Sequence, residues 1–307
     1  MIEIRRVLCP IDFSDHSKRA LDHAMAIAAW YESTLTVLHV FSATPVAPFG
    51  PGPVMLEPVV LPLLDRDRLL ADTKAFAAAE HVSGVRVDTV LREGNATIEI
   101  LGQASVMAAD LLVLGTHGRS GFERLLLGSV AERVLRKASC PVLTVPKGDA
   151  GAVNEALYRT ILCPVDFSES SMRALQYALS LTQEADAQLI VMHVVAHELE
   201  RSSDAAVIAY DDGMTVGNFV KEREEELRTH LLKASAGAGG NEYSRVESLL
   251  THGKPWREIL RVAGERQTDL IVLGVQGRGA SDLLFFGSTT QHVVREASCP
   301  VLTLRHG

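Results

Sequence analysis

The segment Val7-Leu8-Cys9-Pro10-Ile11-Asp12-Phe13-Ser14 returns as Ile161-Leu162-Cys163-Pro164-Val165-Asp166-Phe167-Ser168, offset by 154 residues, the distance from Asp12 to Asp166. Leu38-His39-Val40 returns as Met192-His193-Val194 at the same offset. Gly115-Thr116-His117-Gly118 returns as Gly274-Val275-Gln276-Gly277, and Ala138-Ser139-Cys140-Pro141-Val142-Leu143-Thr144 returns as Ala297-Ser298-Cys299-Pro300-Val301-Leu302-Thr303, both offset by 159, the distance from Gly115 to Gly274. Order is kept throughout. The period is the size of a whole domain, so the chain is a tandem duplication and not a solenoid of short repeats. Its 307 residues suit two domains. These are expected over residues 1–147 and 158–307. They join near Lys147 to Leu157, where Gly148, Asp149, Gly151 and Asn154 break any regular pattern.

Each half alternates strand and helix. In the first, Arg5 to Cys9 reads as a buried strand, and Ser14 can cap the helix that follows. Ala20, Leu21, Ala24, Ile27 and Ala28 keep helical spacing. Thr34 to Val40, Val85 to Leu91, Leu111 to Leu114 and Val142 to Val145 read as strands. Leu63 to Ala79, Thr97 to Ala108 and Ser129 to Lys137 read as helices. The alternation predicts an α/β fold with parallel sheets covered on both faces. One stretch departs from it: Ser42 to Pro62 carries six prolines, each removing a backbone donor, and reads as an irregular loop or a lid after the second strand. The matching stretch, Ala196 to Gly217, is polar instead.

Composition narrows the function. With 47% hydrophobic and 22% charged residues the chain is globular. A net charge of −8 argues against general nucleic-acid or anionic-membrane binding. No apolar run reaches membrane-spanning length, and the N-terminus lacks the charged-then-apolar layout of a signal peptide. The expectation is a soluble, cytoplasmic protein with no nucleic-acid or membrane partner.

The chemistry concentrates in a glycine constellation. Gly115 and Gly118 are followed by nine residues and then Gly128-Ser129, and Gly274 and Gly277 by nine residues and then Gly287-Ser288. Each cluster begins where an apolar strand stops and ends where a helix starts. Glycine lets backbone approach a ligand closely, and the amides of a helix N-terminus favour a phosphate. Ser129 and Ser288 can add hydroxyl donors, and Arg119 and Arg278 can reach a phosphate as charged donors. The spacing survives in both halves while the residues between change, which a bare turn would not require.

The spacing Gly-x2-Gly-x9-Gly-Ser, the early Pro-x-Asp, a second strand ending in His-Val and a closing Ser-Cys-Pro-Val-Leu-Thr together resemble the universal stress protein family, tandem type, over almost the whole chain. The resemblance implies two tandem doubly wound five-stranded parallel sheets, order 3-2-1-4-5, with helices on both faces. It also implies membership of the ATP-binding branch, with ATP, alone or with Mg, as ligand. Strands 1 and 4 flank the point where the winding reverses, and ligands of open α/β sheets bind there. By resemblance Pro10, Ile11 and Asp12 line the adenosine side, Val40 contacts adenine, and Gly115, Gly118, Arg119, Gly128 and Ser129 hold ribose and phosphates. The second set is Pro164, Val165, Asp166, Val194, Gly274, Gly277, Arg278, Gly287 and Ser288. Asp12 and Asp166 have an alternative role in capping the helices near Ser14 and Ser168. His117 stands against Gln276, so if these side chains approach phosphate the two sites need not bind equally.

Other motifs are weaker. No Gly-x4-Gly-Lys-Ser/Thr loop is present. Gly237 to Gly240 reads as a linker and Lys221 to Glu226 as a solvated helix face. Cys9, Cys140, Cys163 and Cys299 never form Cys-x-x-Cys and read as small core residues. His39 and His193 read as satisfied core or rim histidines. Each half offers one obvious carboxylate near its glycines, whereas phosphoryl transfer needs a held metal and a positioned nucleophile. A nucleotide-binding stress or regulatory protein with an unknown protein partner therefore leads. A slow ATPase or phosphotransferase, and a scaffold without nucleotide, stand behind it. The family implies dimers through the last strand. Here Val142 to Val145 and Val301 to Leu304 are expected to pair within one chain, because an exposed edge strand seeks a partner, and two chains are expected to associate into a homodimer.

Overall fold

Val7, Cys9 and Ile11 point to one face of the first strand and Leu8 to the other, and all four are buried. A strand buried on both faces belongs inside a parallel sheet covered by helices. The computed structural model describes residues 2–42, 66–79, 83–116, 127–146, 157–195, 225, 229, 245–275 and 287–305. The first half contains β1 (Arg6–Ile11), α1 (Asp15–Trp30), β2 (Thr34–Phe41), α2 (Arg66–Ala79), β3 (Arg86–Glu93), α3 (Ala96–Val106), β4 (Leu111–Gly115), α4 (Ser129–Lys137) and β5 (Val142–Val145). The second contains β6 (Thr160–Pro164), α5 (Glu169–Ala185), β7 (Gln188–Val195), β8 (Val246–His252), α6 (Pro255–Glu265), β9 (Leu270–Gly274), α7 (Ser288–Glu296) and β10 (Val301–Leu304). The loop expected over Ser42 to Pro62 falls, beyond Ser42, outside the described residues. So do Ala196 to Gly217, Gly237 to Gly240 and, apart from Glu225, Lys221 to Glu226.

The strands form one ten-stranded sheet in the order β3-β2-β1-β4-β5-β10-β9-β6-β7-β8. Each half keeps the order 3-2-1-4-5. The two five-stranded sheets fuse where β5 and β10 run antiparallel, with Leu302 opposite Leu143. The Thr144 hydroxyl donates to the Val301 carbonyl at 3.2 Å and the Thr303 hydroxyl to the Val142 carbonyl at 3.1 Å. This reciprocity is that of a twofold axis relating the halves. The seam satisfies two strand edges that would otherwise template aggregation. Apolar clusters on both faces of the sheet draw residues from both halves, so the core continues across the seam.

Strand ends run further than the sequence pattern suggests, and this matters for the site. β1 continues to Ile11 because Pro10 and Ile11 still pair with Leu38 and His39 of β2. Its pairing with β4 has already stopped at Leu8, opposite Leu112. Pro10, which has no N–H to donate, therefore stands where β1 and β4 part. The second half repeats this: β6 pairs with β9 only to Leu162 and with β7 through Pro164. Each half thus has a crevice between its first and fourth strands, at their carboxyl ends.

Not every glycine serves the site. Gly102 lies inside α3, and a Cβ there would meet nothing within 4 Å. Glycine in a helix interior costs about 1 kcal/mol relative to alanine. Gly102→Ala is expected to raise stability by about that amount, read as a higher urea midpoint with an unchanged slope.

Candidate functional site

Asp12 follows directly on β1 and Asp166 lies two residues past the end of β6, at the strands that border the two crevices. Asp12 Oδ1 accepts from the Ser14 amide at 3.1 Å and the Ser14 hydroxyl at 2.5 Å, and Ser14 in turn caps α1 by accepting from the Ser17 amide at 3.2 Å. Asp166 Oδ1 accepts from Ser168 N and Oγ at 3.1 and 2.5 Å, with Ser168 capping α5. The capping role anticipated for these carboxylates is therefore present.

Between Asp and Ser stands a phenylalanine in the left-handed region, Phe13 at φ 63° and Phe167 at φ 62°. Such a backbone costs a bulky residue about 1–2 kcal/mol. Phe13 packs on the His39 ring at 4.5 Å and edge-on to Phe76 at 5.5 Å, while Phe167 packs on His193 at 4.8 Å. Each histidine engages the end of the neighbouring strand: Nδ1 of His39 lies 3.0 Å from the Ile11 carbonyl oxygen, and Nδ1 of His193 lies 2.7 Å from that of Val165. A carbonyl can only accept, so Nδ1 carries the proton in both rings. These two Phe-His pairs fix the crevice walls beside Pro10, Ile11, Val40 and their counterparts Pro164, Val165 and Val194. The identical repetition of Phe and His in both halves was the signal for them.

Gly115 and Gly274 sit at the carboxyl ends of β4 and β9, but the space a side chain would take is already filled. A Cβ on Gly115 would lie 3.0 Å from both Cβ and O of His16, and one on Gly274 would lie 2.6 Å from the carbonyl carbon and Oγ of Ser170. Glycine is needed there so that the first turn of α1 or α5 can close on the strand. Any ligand contact at these positions is left to their backbone.

The returning end of each loop has a different character. The Gly128 amide donates to the Thr116 carbonyl at 2.7 Å, and the Gly287 amide to the Val275 carbonyl at 3.1 Å, so each loop is tied at its base. Gly118, Arg119, Gly277 and Arg278 fall in residues 117–126 and 276–286, outside the described residues, as do His117 and Gln276. Gly128 and Gly287 are the N-caps of α4 and α7, and among the described residues neither helix has a side-chain cap. By contrast Ser14, Asn95 and Ser168 cap α1, α3 and α5 through side-chain oxygens. Lysine opens α6, but the proline after it has one donor fewer to satisfy. Ser129 and Ser288, the first residues of α4 and α7, are exposed. Arg136 and Lys137 in the last turn of α4 complement its dipole.

The halves differ around these positions. His16 of the first crevice is replaced by Ser170, whose hydroxyl lies 3.2 Å from that of Ser168. In the first turn of α7 the Thr290 hydroxyl donates to the Gly274 carbonyl at 3.1 Å, and the matching α4 residue is Ala131. Two further glycines, with φ of 144° and 141°, turn the chain from β3 and β8 into the next helix: Gly94 donates to Phe41 O and Gly253 to Val195 O. Among the described residues no group of three His, Cys, Asp or Glu could hold a metal ion, and no helix is long and apolar enough to cross a membrane. Burial pushes the thiols of Cys9, Cys163 and Cys299 upward, the last to about 12, and that of Cys140 to about 11, so at neutral pH all four are protonated.

The family model described as "Universal stress protein family" matches the chain twice, over residues 3–146 and 157–305. A universal stress protein of Methanocaldococcus jannaschii is 38% identical over 143 residues, which is 47% of this chain and 82% of that protein. One from Mycobacterium tuberculosis is 26% identical over 314 residues, covering 97% of this chain and 96% of its own. The crystal structure of a universal stress protein from Archaeoglobus fulgidus shares the fold over 100% of both chains, with a TM-score of 0.67 at 23% identity.

Proposed function

The chain belongs to the universal stress protein family, and on that premise we propose that it binds ATP in each half and acts as a nucleotide-responsive regulatory protein. The observation that carries this is the pair of uncapped helices. Where α1, α3 and α5 satisfy their first-turn amides with their own side chains, α4 and α7 open on Gly128 and Gly287 and leave those donors to another acceptor. Both openings lie just past the fourth strand of their half, beside the crevice where β1 parts from β4 and β6 from β9. Bound ATP would supply the polyphosphate charge that such donors favour.

The chain's own groups divide the work. Backbone amides at Gly128-Ser129 and Gly287-Ser288 hold phosphate oxygens, and the two serine hydroxyls add donors. Gly118, Arg119, Gly277 and Arg278 join this set. Asp12 and Asp166, oriented by Ser14 and Ser168, accept from ribose hydroxyls. Pro10, Ile11, Val40, Pro164, Val165 and Val194 bound the base, with Gly115 and Gly274 contributing backbone. Two chains associate into a homodimer through a surface other than the last strands, since β5 and β10 already pair with each other.

Calorimetric titration with ATP, ADP, AMP and cyclic AMP, with and without Mg, tests the proposal. One ATP is expected in each half, with affinity falling as phosphates are removed. No ATP binding up to millimolar concentration would sink it. Bound ATP that stays intact for hours identifies a binder rather than a hydrolase.

A further inference from the structure

We propose that the seam between the two halves carries an acid-sensitive latch made by His23 of α1 and Tyr158, which precedes β6. Nδ1 of His23 lies 2.9 Å from the Tyr158 hydroxyl, the two rings stack at 5.6 Å, and Trp30 packs edge-on to Tyr158 at 5.7 Å. His23 is 7% exposed and Tyr158 is 0% exposed. The pair thus joins α1 of the first half to the start of the second inside the shared core. It has no counterpart elsewhere. At an offset of 154, His23 corresponds to Tyr177 and Tyr158 corresponds to Ile4, so the duplicated position holds no imidazole.

The charged and titratable surroundings favour a neutral ring. Burial first, and then Arg19 on the same helix, hold the His23 imidazole far below its ordinary value, at about 3. Burial, and then Cys299 before β10 and Asp269 before β9, push the Tyr158 phenol upward. Among the described residues, the charged group acting on His23 is Arg19, a cation rather than a carboxylate that could compensate an imidazolium. Its folded pKa is depressed, so the separated or unfolded state takes up a proton near pH 6.5 and the docked state takes none until about pH 3. Docking is therefore at full strength above about pH 6.5 and weakens about tenfold for each pH unit below it. Among the described residues, other side-chain links across the seam involve Thr144, Thr303 and Tyr31 with Ser180 at 2.9 Å. Arg305 donates to the Leu135 carbonyl at the end of α4. None of these groups changes charge between pH 4 and 7, so among these links acid acts on His23 alone.

His23→Asn tests the latch, since its amide places a non-titrating partner where Nδ1 stood. In a Trp256→Phe background Trp30 is the sole tryptophan. Its emission is expected to shift to the red at lower urea than the far-UV circular dichroism changes at pH 5, and together with it at pH 7.5. Relative to His23→Asn, the unfolding constant of the parent should rise about tenfold per pH unit between pH 6 and 4. Parallel pH profiles for the two proteins, or coincident Trp30 and dichroism transitions at pH 5, would overturn the latch. A nuclear magnetic resonance titration of the unmutated chain needs no variant to fold. An imidazole of His23 still neutral at pH 4 supports the proposal, and one titrating near its ordinary value removes it.

Discussion

Gly274→Ala is expected to destabilise the chain by about 3 kcal/mol, near the top of the range for overpacking a tight contact, and Gly115→Ala by about 1 kcal/mol. A methyl on Gly274 would stand 2.6 Å from the carbonyl carbon and Oγ of Ser170 and 2.7 Å from the amide nitrogen of Ser171. Two of those atoms are backbone of the first turn of α5, which the Ser168 cap and the Asp166 carboxylate hold in place. They cannot retreat unless the helix moves off the sheet. At Gly115 the nearest atoms are His16 Cβ and O at 3.0 Å and C at 3.1 Å, so a few tenths of an ångström suffice. Neither glycine is among the positive-φ residues, so the requirement is one of space rather than backbone conformation. Urea unfolding of the two variants under identical conditions checks the order. Equal, small losses would mean that α5 gives way freely. Because Asp166 and the Ser168 cap lead into α5, Gly274→Ala should also weaken ATP binding in the second half.

These glycines show how far the sequence reaches. Their place at the end of an apolar strand was legible, and it read as room for a ligand to approach the backbone. What fills that room was not, because the first turn of α1 meets β4 only after the chain has closed a contact of about a hundred residues' separation. The opposite holds for Asp12 and Ser14: they are two residues apart, the contact is local, and the cap could be read from the pattern. The pairing of β5 with β10 was also legible, since two repeats of an apolar edge strand in one chain satisfy each other. Phe13 was not. A left-handed phenylalanine is contrary to intrinsic preference, and only its recurrence as Phe167, with His39 and His193 recurring alongside, hints that the pair is built together. Internal repetition is blind by construction to what one half has alone. His23 and Tyr158 face each other across the seam for that reason without a trace in the repeat, and the pair is visible only once the fold brings Tyr158 against α1.

Gly128→Asp is expected to lower ATP affinity in the first half by about 100-fold while leaving stability unchanged or slightly higher. Gly128 is the N-cap of α4 at φ −57° and ψ 141°, a conformation open to any L-residue. Aspartate at an N-cap turns its carboxylate onto the amides of the second and third helical residues. Those are the donors assigned to a phosphate oxygen, so the helix would be capped from within and a fixed negative charge would meet the polyphosphate. A hydrogen bond to a charged group is worth about 1.5–3 kcal/mol, and a 100-fold loss, about 2.8 kcal/mol, lies within that range. The helix itself gains the few tenths of a kcal/mol that separate aspartate from glycine at this position. Gly128→Ala, which adds bulk without a carboxylate, separates occlusion from charge. Calorimetry should then count one ATP per chain instead of two. Full stoichiometry at parental affinity in Gly128→Asp would place the phosphates somewhere other than the mouth of α4, and with it the proposal for both halves would fail.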